Sequence, residues 1–338
     1  MKKPTILDIA KELNITFSTV ARALNDHPAI SVATKKAVRE TATRLNYRQN
    51  KLASSLRSGR SNIIGVIVPN LHVSFFSSVV SGIEKVMNEN GYNILLYQSN
   101  ESNSHEAKGI ETFLQSRVDG IISSVTTETH QEVYHEIKNR NIPLMFFDRE
   151  LPELEVSSVI IDDYAGGFVA TEHLIKQGYR QILHITSLKE ITIFKERLRG
   201  YIDALKHYNL EVNEELILKG DFSLQFGRDA VKQTRISGLQ YDAVFALEDY
   251  TALGAMQALK ELSIKIPQEV GVIGFANEEF GSLVSPALST MDQQTGKMGE
   301  ETARIFLNQL KSDGKNYLPE KVVLEPILIA RESTRRVG

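Results

Sequence analysis

The chain has 338 residues, room for two or three domains, and its 42% hydrophobic and 24% charged residues are the balance of an ordinary globular protein. It contains no cysteine, so disulfides, thiolate metal sites and cysteine nucleophiles are excluded. No apolar run approaches the roughly 20 residues of a membrane span, and Met1 to Thr5 lead into an amphipathic pattern without a signal-peptide core, so a cytoplasmic location and no membrane partner are expected. The net charge of −3 conceals an asymmetry. Residues 1–60 hold twelve Lys and Arg against four acids (Asp8, Glu12, Asp26, Glu40), whereas the rest of the chain holds 27 bases against 38 acids. A basic head on an acidic body predicts that the head meets a polyanion.

Ile6, Ile9, Ala10 and Leu13 recur at helical spacing, as do Val20, Ala21 and Leu24 after Ile15. Thr16 or Ser18 can cap the second run, and Asn14 suits a turn residue with positive φ. A third helix is expected from Thr34 to Leu45, capped near Ser31, with Ala37, Val38 and Leu45 inward. The exposed face of the second helix then carries Phe17, Ser18 and Arg22, and an arginine on such a helix can bind guanine bidentately in the major groove. Residues Tyr47 to Ser61 place Leu52, Ala53 and Leu56 at helical spacing beside Arg57 and Arg60. This segment is too short to be helical alone and ends in Ser-Gly-Arg-Ser linker chemistry, which suits a DNA-dependent hinge.

The pattern Thr5-Ile6-x-Asp8-Ile9-Ala10, Thr19-Val20-x-Arg22-x-Leu24-Asn25, Leu45-Asn46-Tyr47 and Leu52-Ala53-x-x-Leu56 resembles the head and hinge of the lac repressor/galactose repressor (LacI/GalR) family. The resemblance implies that the second helix reads the major groove and that hinge helices from two subunits enter the minor groove, with Leu56 wedged between base steps. It further implies that Thr5, Asn25, Ser31, Thr34 and Asn50 hold phosphates or flank the groove, with Thr16, Tyr47, Ala53 and Arg57 completing the DNA-binding set. Asn14, Ala21 and Gln49 depart from the family's usual glycine, serine and proline.

From Asn62, short apolar runs ("NIIGVIVP", "YNILLYQS", "VDGIISSV", "IPLMFFD") alternate with amphipathic helices, and a second such series starts near Asp162. This predicts two α/β lobes with parallel sheets. Ligands sit outside the carboxyl ends of such strands. Here the ends supply Asp148, Glu248, Asp249, Ala276 and Asn277, with Phe75, Phe76 and Phe222 as either apolar walls or ordinary core, and Arg197 as either a bidentate donor or an interlobe ion pair. Motifs such as Arg197-Leu198-x-Gly200-Tyr201 and Gly271-Val272-x-Gly274-Phe275 extend the resemblance over nearly the whole chain. They imply a periplasmic-binding-protein-like body, and add Ile191, Ile193 and Gln293 to the effector contacts. In the family an acid stands where Ala276 stands here, and an asparagine where Glu248 stands.

The expected architecture is an N-terminal all-α helix-turn-helix head (1–47), a hinge helix and linker (48–61) and an effector-binding and dimerisation domain (62–338). Lobe 1 is expected at about 62–161 and 290–324, lobe 2 at about 162–289 and 325–334. No GxxxxGK[ST], GxSxG or HExxH occurs, so an enzyme is not expected, and no metal or cofactor is called for. Asp162-Asp163 and Glu278-Glu279 read as caps and solvated loops. Glu248 is expected to balance Arg197 and to accept from the hydroxyls of a neutral ligand; the alternative is a cleft more positive than usual, in which the Arg197 fork holds a carboxylate- or phosphate-bearing ligand. The implied function is transcriptional regulation, as a repressor: a homodimer on a near-palindromic double-stranded operator, controlled by a sugar-like or nucleoside-like effector. The alternative is a sugar-binding transport receptor with no DNA role.

Overall fold

The computed structural model describes residues 4–47, 60–127, 129, 131–189, 191–312 and 317–336. It divides into two compact units, 1–61 and 62–338. The hinge residues Asn50, Ala53, Leu56 and Arg57 lie outside the described residues.

In the first unit, helices α1 (Ile6–Glu12), α2 (Phe17–Leu24) and α3 (Val32–Arg44) start where local chemistry allows. The Thr5 backbone N–H and hydroxyl both donate to Asp8 at 2.7 Å. Thr16 Oγ1 accepts from the Thr19 N–H and Ser31 Oγ from the Thr34 N–H, each at 3.1 Å, which satisfies N–H groups that the first helical turn leaves unpaired. The turn between α1 and α2 passes through Asn14 at φ +50°, a conformation asparagine tolerates. Ile9, Val20, Ala23 and Val38 are fully buried where the helices meet. Burying each of the isoleucine and valine side chains contributes roughly 1.5–3 kcal/mol, and Ala23 less, enough for a small core and little more.

The second unit is a pair of parallel sheets. The first has six strands in the order β11-β5-β4-β3-β1-β2: β1 (Ile63–Val68), β2 (Asn93–Gln98), β3 (Gly120–Ser123), β4 (Leu144–Phe147), β5 (Ser157–Ile161) and β11 (Lys321–Leu324). Helices α4 (Ser74–Glu89) and α11 (Thr295–Lys311) pack on one face through Val79, Ile83, Met298 and Phe306. The other face takes α5 (Asn103–Gln115) and α6 (Glu132–Asn139) through Ile110, Phe113, Tyr134 and Ile137.

The second sheet has four strands in the order β7-β6-β8-β9: β6 (Ile182–Ser187), β7 (Ile217–Gly220), β8 (Ala243–Ala246) and β9 (Gly271–Ile273). Its faces are covered by α7 (Asp163–Lys176) with α8 (Thr192–His207), and by α9 (Leu224–Ile236) with α10 (Asp249–Glu261). Buried β8 reads Ala-Val-Phe-Ala without polar alternation, as a strand covered on both faces must. The chain passes between the lobes three times: after β5, between β10 (Thr290–Asp292) and α11, and after β11. Strand β10 pairs antiparallel with β12 (Ile327–Ile329), and Ser289 bridges to β9, so these residues join the second sheet.

Close approach of α7 and α8 positions the site. A Cβ on Gly167 would lie 2.2 Å from the Arg197 carbonyl oxygen, and one on Gly200 would lie 2.3 Å from that of Tyr164. Only glycine permits that contact, which brings Asp163 at the start of α7 against Arg197 in α8.

Candidate functional sites in the head and the cleft

In the head, Val20 and Ala23 face the core, so helical geometry turns Arg22 outward, while Phe17 stands at the first position of α2. Phe17 is 56% exposed and Arg22 is exposed. Ser18 is half-buried. Thr5, Thr16, Ser31 and Asn25 stand at helix ends, and Thr34 Oγ1 is 2.8 Å from Ser31 Oγ. Tyr47 is half-buried against the helical core.

The cleft of the body lies outside the carboxyl ends of both sheets, as open parallel sheets dictate. One chamber, about 420 Å³, is walled by Phe75 and Phe76 at the start of α4, Phe222 after β7, Leu247, and Tyr250 on α10. Asp148, Ile193, Arg197, Glu248, Ala276 and Gln293 complete most of the expected set. A second chamber, about 490 Å³, holds Ile191. Phe75 and Phe76 meet edge to face at 5.1 Å and belong to the core of the first sheet as well as to the cleft wall. Asn277 does not join the lining. Its Oδ1 accepts from Arg331 at 2.7 Å and its Nδ2 donates to Asp292 at 3.2 Å, so it braces the loop after β9. Ala276 has φ +138°, backbone that side chains rarely adopt; the strain sits at the cleft wall, where its N–H is held by the Met291 carbonyl at 2.9 Å.

Arg197 is 5% exposed, and its guanidinium is held on three sides. Nε donates to Asp163 at 2.8 Å, Nη1 to the Leu247 carbonyl at 2.8 Å and Nη2 to Gln293 at 3.2 Å, while the plane lies over Phe275 with Cζ 3.7 Å from the ring centroid. This overturns two expectations. The Asp163 side chain is no solvated acid: only Asp162 caps, accepting from the Ala165 N–H at 2.8 Å, and burial pushes the Asp163 carboxyl up against the pull of Arg197. Glu248 does not balance Arg197. Its carboxylate folds back as the N-cap of α10 and accepts from the Tyr250 N–H at 2.8 Å and the Thr251 N–H at 2.6 Å. Glutamate is a poor choice for a cap by local preference, which is why the sequence pattern hid that role.

Glu278 is likewise no free surface acid. Ser74 of α4 donates to it across the cleft mouth, joining the lobes. Asp249, fully buried, accepts from Thr290 Oγ1 at 2.7 Å and from the Glu278 N–H at 2.8 Å. Burial, with the Glu248 and Glu278 carboxylates near, raises its carboxyl to about 7 against the hydrogen bonds from Thr290 and Glu278. Burial also raises Asp148, against the opposing charges of Arg149 and Arg197.

The linings of the two chambers carry eight carboxylates (Glu101, Asp148, Glu150, Asp162, Asp163, Glu196, Glu248, Glu278) against Arg149, Arg197, Lys189 and Lys321. The cations are engaged: Arg149 pairs with Glu101 at 2.9 Å, Lys321 with Glu150, and Lys189 lies over the Phe222 ring at 5.2 Å. Most of the acids are engaged as well, Glu101, Glu150 and Asp163 by these cations and Glu196 by Arg199, so what the linings offer is mainly hydrogen-bonding groups between apolar walls, which suits a hydroxyl-bearing ligand. Arg149 was missed by sequence reasoning; the signal was its place directly after Asp148 at the end of β4.

A helical head with an exposed arginine-bearing helix, carried on a two-lobed ligand cleft, defines a class: DNA-binding regulators with a binding-protein body. The comparisons agree. Residues 5–50 match the family described as bacterial regulatory proteins, lacI family, and residues 61–323 match periplasmic binding proteins and sugar binding domain of LacI family. The chain is 30% identical over 334 residues to the HTH-type transcriptional regulator DegA of Bacillus subtilis (strain 168), covering 98% of each. It is 29% identical over 336 residues to the HTH-type transcriptional repressor PurR of Actinobacillus pleuropneumoniae serotype 3 (strain JL03), covering 99% of each. The fold matches that of the lac repressor dimer bound to operator and the anti-inducer ONPF, with TM-score 0.87, 23% identity, and 98% of this chain and 99% of that one covered. The chain belongs to the LacI family of bacterial regulatory proteins.

Proposed function

We propose that this regulator acts in the cytoplasm as a homodimeric repressor without enzymatic activity, reading a near-palindromic operator through α2 and the hinge and responding to a neutral polyol or nucleoside in the cleft. The division into head (1–47), hinge (48–61) and effector domain (62–338) belongs to the same reading. The observation that carries it is α2, with Arg22 exposed on the side away from the buried Val20 and Ala23 and Phe17 exposed in its first turn. Two-fold symmetry follows if two such heads read two half-sites. A transport receptor has no use for that face. Among the described residues no helix is long and apolar enough to cross a membrane.

Selection of bound sequences from a random pool by the full chain, followed by footprinting, tests the reading. A near-palindrome with two half-sites is expected. Arg22→Ala should relax one base position in each half-site at a cost of about 1–3 kcal/mol per contact, while lysine changes that touch phosphate weaken all sequences alike. A full chain that selects no sequence, or an Arg22→Ala variant with the unaltered profile, refutes it.

A further inference from the structure

The two chambers of the cleft are neighbours. Asp148, Arg149 and Ile193 line both, so they adjoin at the end of β4. The rear chamber has apolar walls from Leu151, Pro152, Ile160, Ile191 and Val323, with Thr126 and Thr192 as polar points between them. Each chamber alone has the size of a small-ligand site.

The junction is where the chemistry is incomplete. Asp148 is 8% exposed and stands at φ +61°, so its carboxylate is aimed by a left-handed backbone that the Val159 carbonyl holds at 2.9 Å. That carboxylate meets Ser124 Oγ at 3.3 Å and Arg149 Nε at 3.6 Å, both long contacts. Arg149 has its Nη1 on both Glu101 oxygens, at 2.9 and 3.0 Å, yet its buried Nε has no hydrogen-bond partner among the described residues. A buried donor without a hydrogen-bond partner among the described residues lies beside a buried carboxylate that accepts one long bond, from Ser124. Such groups are rare in folded proteins unless something else satisfies them. A hydroxyl or ether oxygen fits both, because a hydroxyl donates to a carboxylate and accepts from an N–H.

We propose that the effector is a neutral two-ring sugar, a disaccharide or glycoside of that size, with one unit in each chamber and its linkage passing Asp148 and Arg149. This rests on the regulatory reading and narrows it. Carboxylates outnumber cations in both linings, which disfavours sugar phosphates and uronates. A one-ring ligand would fill the chamber of Phe75 and Phe222 and leave the walls of Leu151 and Val323 unused.

Titration calorimetry on the full chain tests this with matched sets: glucose against cellobiose, maltose and trehalose, galactose against lactose and melibiose, plus adenosine, inosine and glucose 6-phosphate. At least one disaccharide should bind about tenfold or more tightly than either component, the factor that one further set of charge-assisted hydrogen bonds confers. Thr192→Trp and Val323→Trp narrow the rear chamber from two different elements, and melting curves verify that each folds. Both should weaken the disaccharide by about tenfold while the component monosaccharide binds within a few-fold of the parent. The proposal is overturned if no disaccharide exceeds its components, if only a nucleoside or a phosphate binds, or if both tryptophan variants bind the disaccharide like the parent. Operator binding is scored in parallel. A one-ring compound that shifts operator affinity sinks the two-ring proposal and leaves the regulatory reading standing, whereas absence of selective DNA binding sinks that reading whatever sugar binds.

Discussion

Asp249 offers a sharp test of the electrostatics around the cleft. In the folded body its carboxyl titrates at about 7, and in the unfolded chain at the ordinary 3.8. A raised acid binds a proton in the native state that the unfolded state releases, so its stabilisation is fully present below the unfolded value and is lost as pH rises through 7. Between about pH 5.5 and 8.5 the group should take roughly 2 kcal/mol of stability with it, from 1.36 kcal/mol per unit of the remaining shift. Asp249→Asn removes this dependence without emptying the site: its amide oxygen can accept from the Glu278 N–H, and its NH₂ can donate to Thr290 Oγ1 once that hydroxyl turns. Buried His184, held down to about 4 by burial, has the opposite sign, because its stabilisation is lost as pH falls from 6.5 through 4. That contribution is common to parent and variant and cancels in the comparison. Melting curves at both pH values should therefore show Asp249→Asn gaining on the parent by about 4–8 °C from the acidic to the basic condition, at about 2–4 °C per kcal/mol for a body of this size. The same difference between the two proteins at both pH values refutes the assignment.

Other outcomes follow from single contacts. Gly200→Ala should force α8 away from Tyr164 and cost about 1–3 kcal/mol, read as a lower melting temperature together with weaker effector binding, because Arg197 moves with the helix. Glu248→Ala should lose about 0.5–2 kcal/mol of stability as a missing cap of α10 while effector affinity stays near the parent's; a large affinity loss with unchanged stability would restore it to a direct ligand contact. Ser74→Ala removes the hydroxyl that spans the cleft mouth, so small-angle scattering of the ligand-free protein should show a larger radius of gyration. An unchanged radius would mean that the Ser74–Glu278 bond does not hold the lobes together.

What could be read from sequence was local or periodic. Thr16 and Ser31 announce helix starts because a cap acts over three residues, and Asn14 announces a turn through its own backbone tolerance. The buried strands announce themselves as continuous apolar runs, and their carboxyl ends point to Asp148 and Glu248 before any coordinates. The partners of the cleft residues were hidden. Asp163 and Arg197 are 34 positions apart and meet only because Gly167 and Gly200 bring two helices together. Ser74 and Glu278 are 204 positions apart and belong to different lobes. Glu248 looks like a ligand acceptor because it ends a strand, and the competing use of its carboxylate depends on rotamers that periodicity does not encode.

These contacts also bear on how a ligand could control the protein. An effector shifts an equilibrium only through different affinities for two arrangements, so the relevant groups are those whose partners differ between open and closed lobes. In this structure the Ser74–Glu278 bond is one that crosses between the lobes, and it stands at the end of a series that runs within the second lobe from Thr290 through Asp249 to Glu278. Arg197, by contrast, is fixed within the second lobe by Asp163 and the Leu247 carbonyl, and its charge is neutralised before any ligand arrives. It can orient a hydroxyl, but its main ion pair has no reason to change on closure. The first-lobe groups that a ligand can recruit are the Asp148 carboxylate, held by a single long bond from Ser124, and the Arg149 Nε, which has no hydrogen-bond partner among the described residues although its Nη1 is bound to Glu101. A ligand that satisfies them while bonded to Arg197 ties one lobe to the other. Its affinity then depends on how far the lobes have closed, and that dependence is the differential binding that regulation requires.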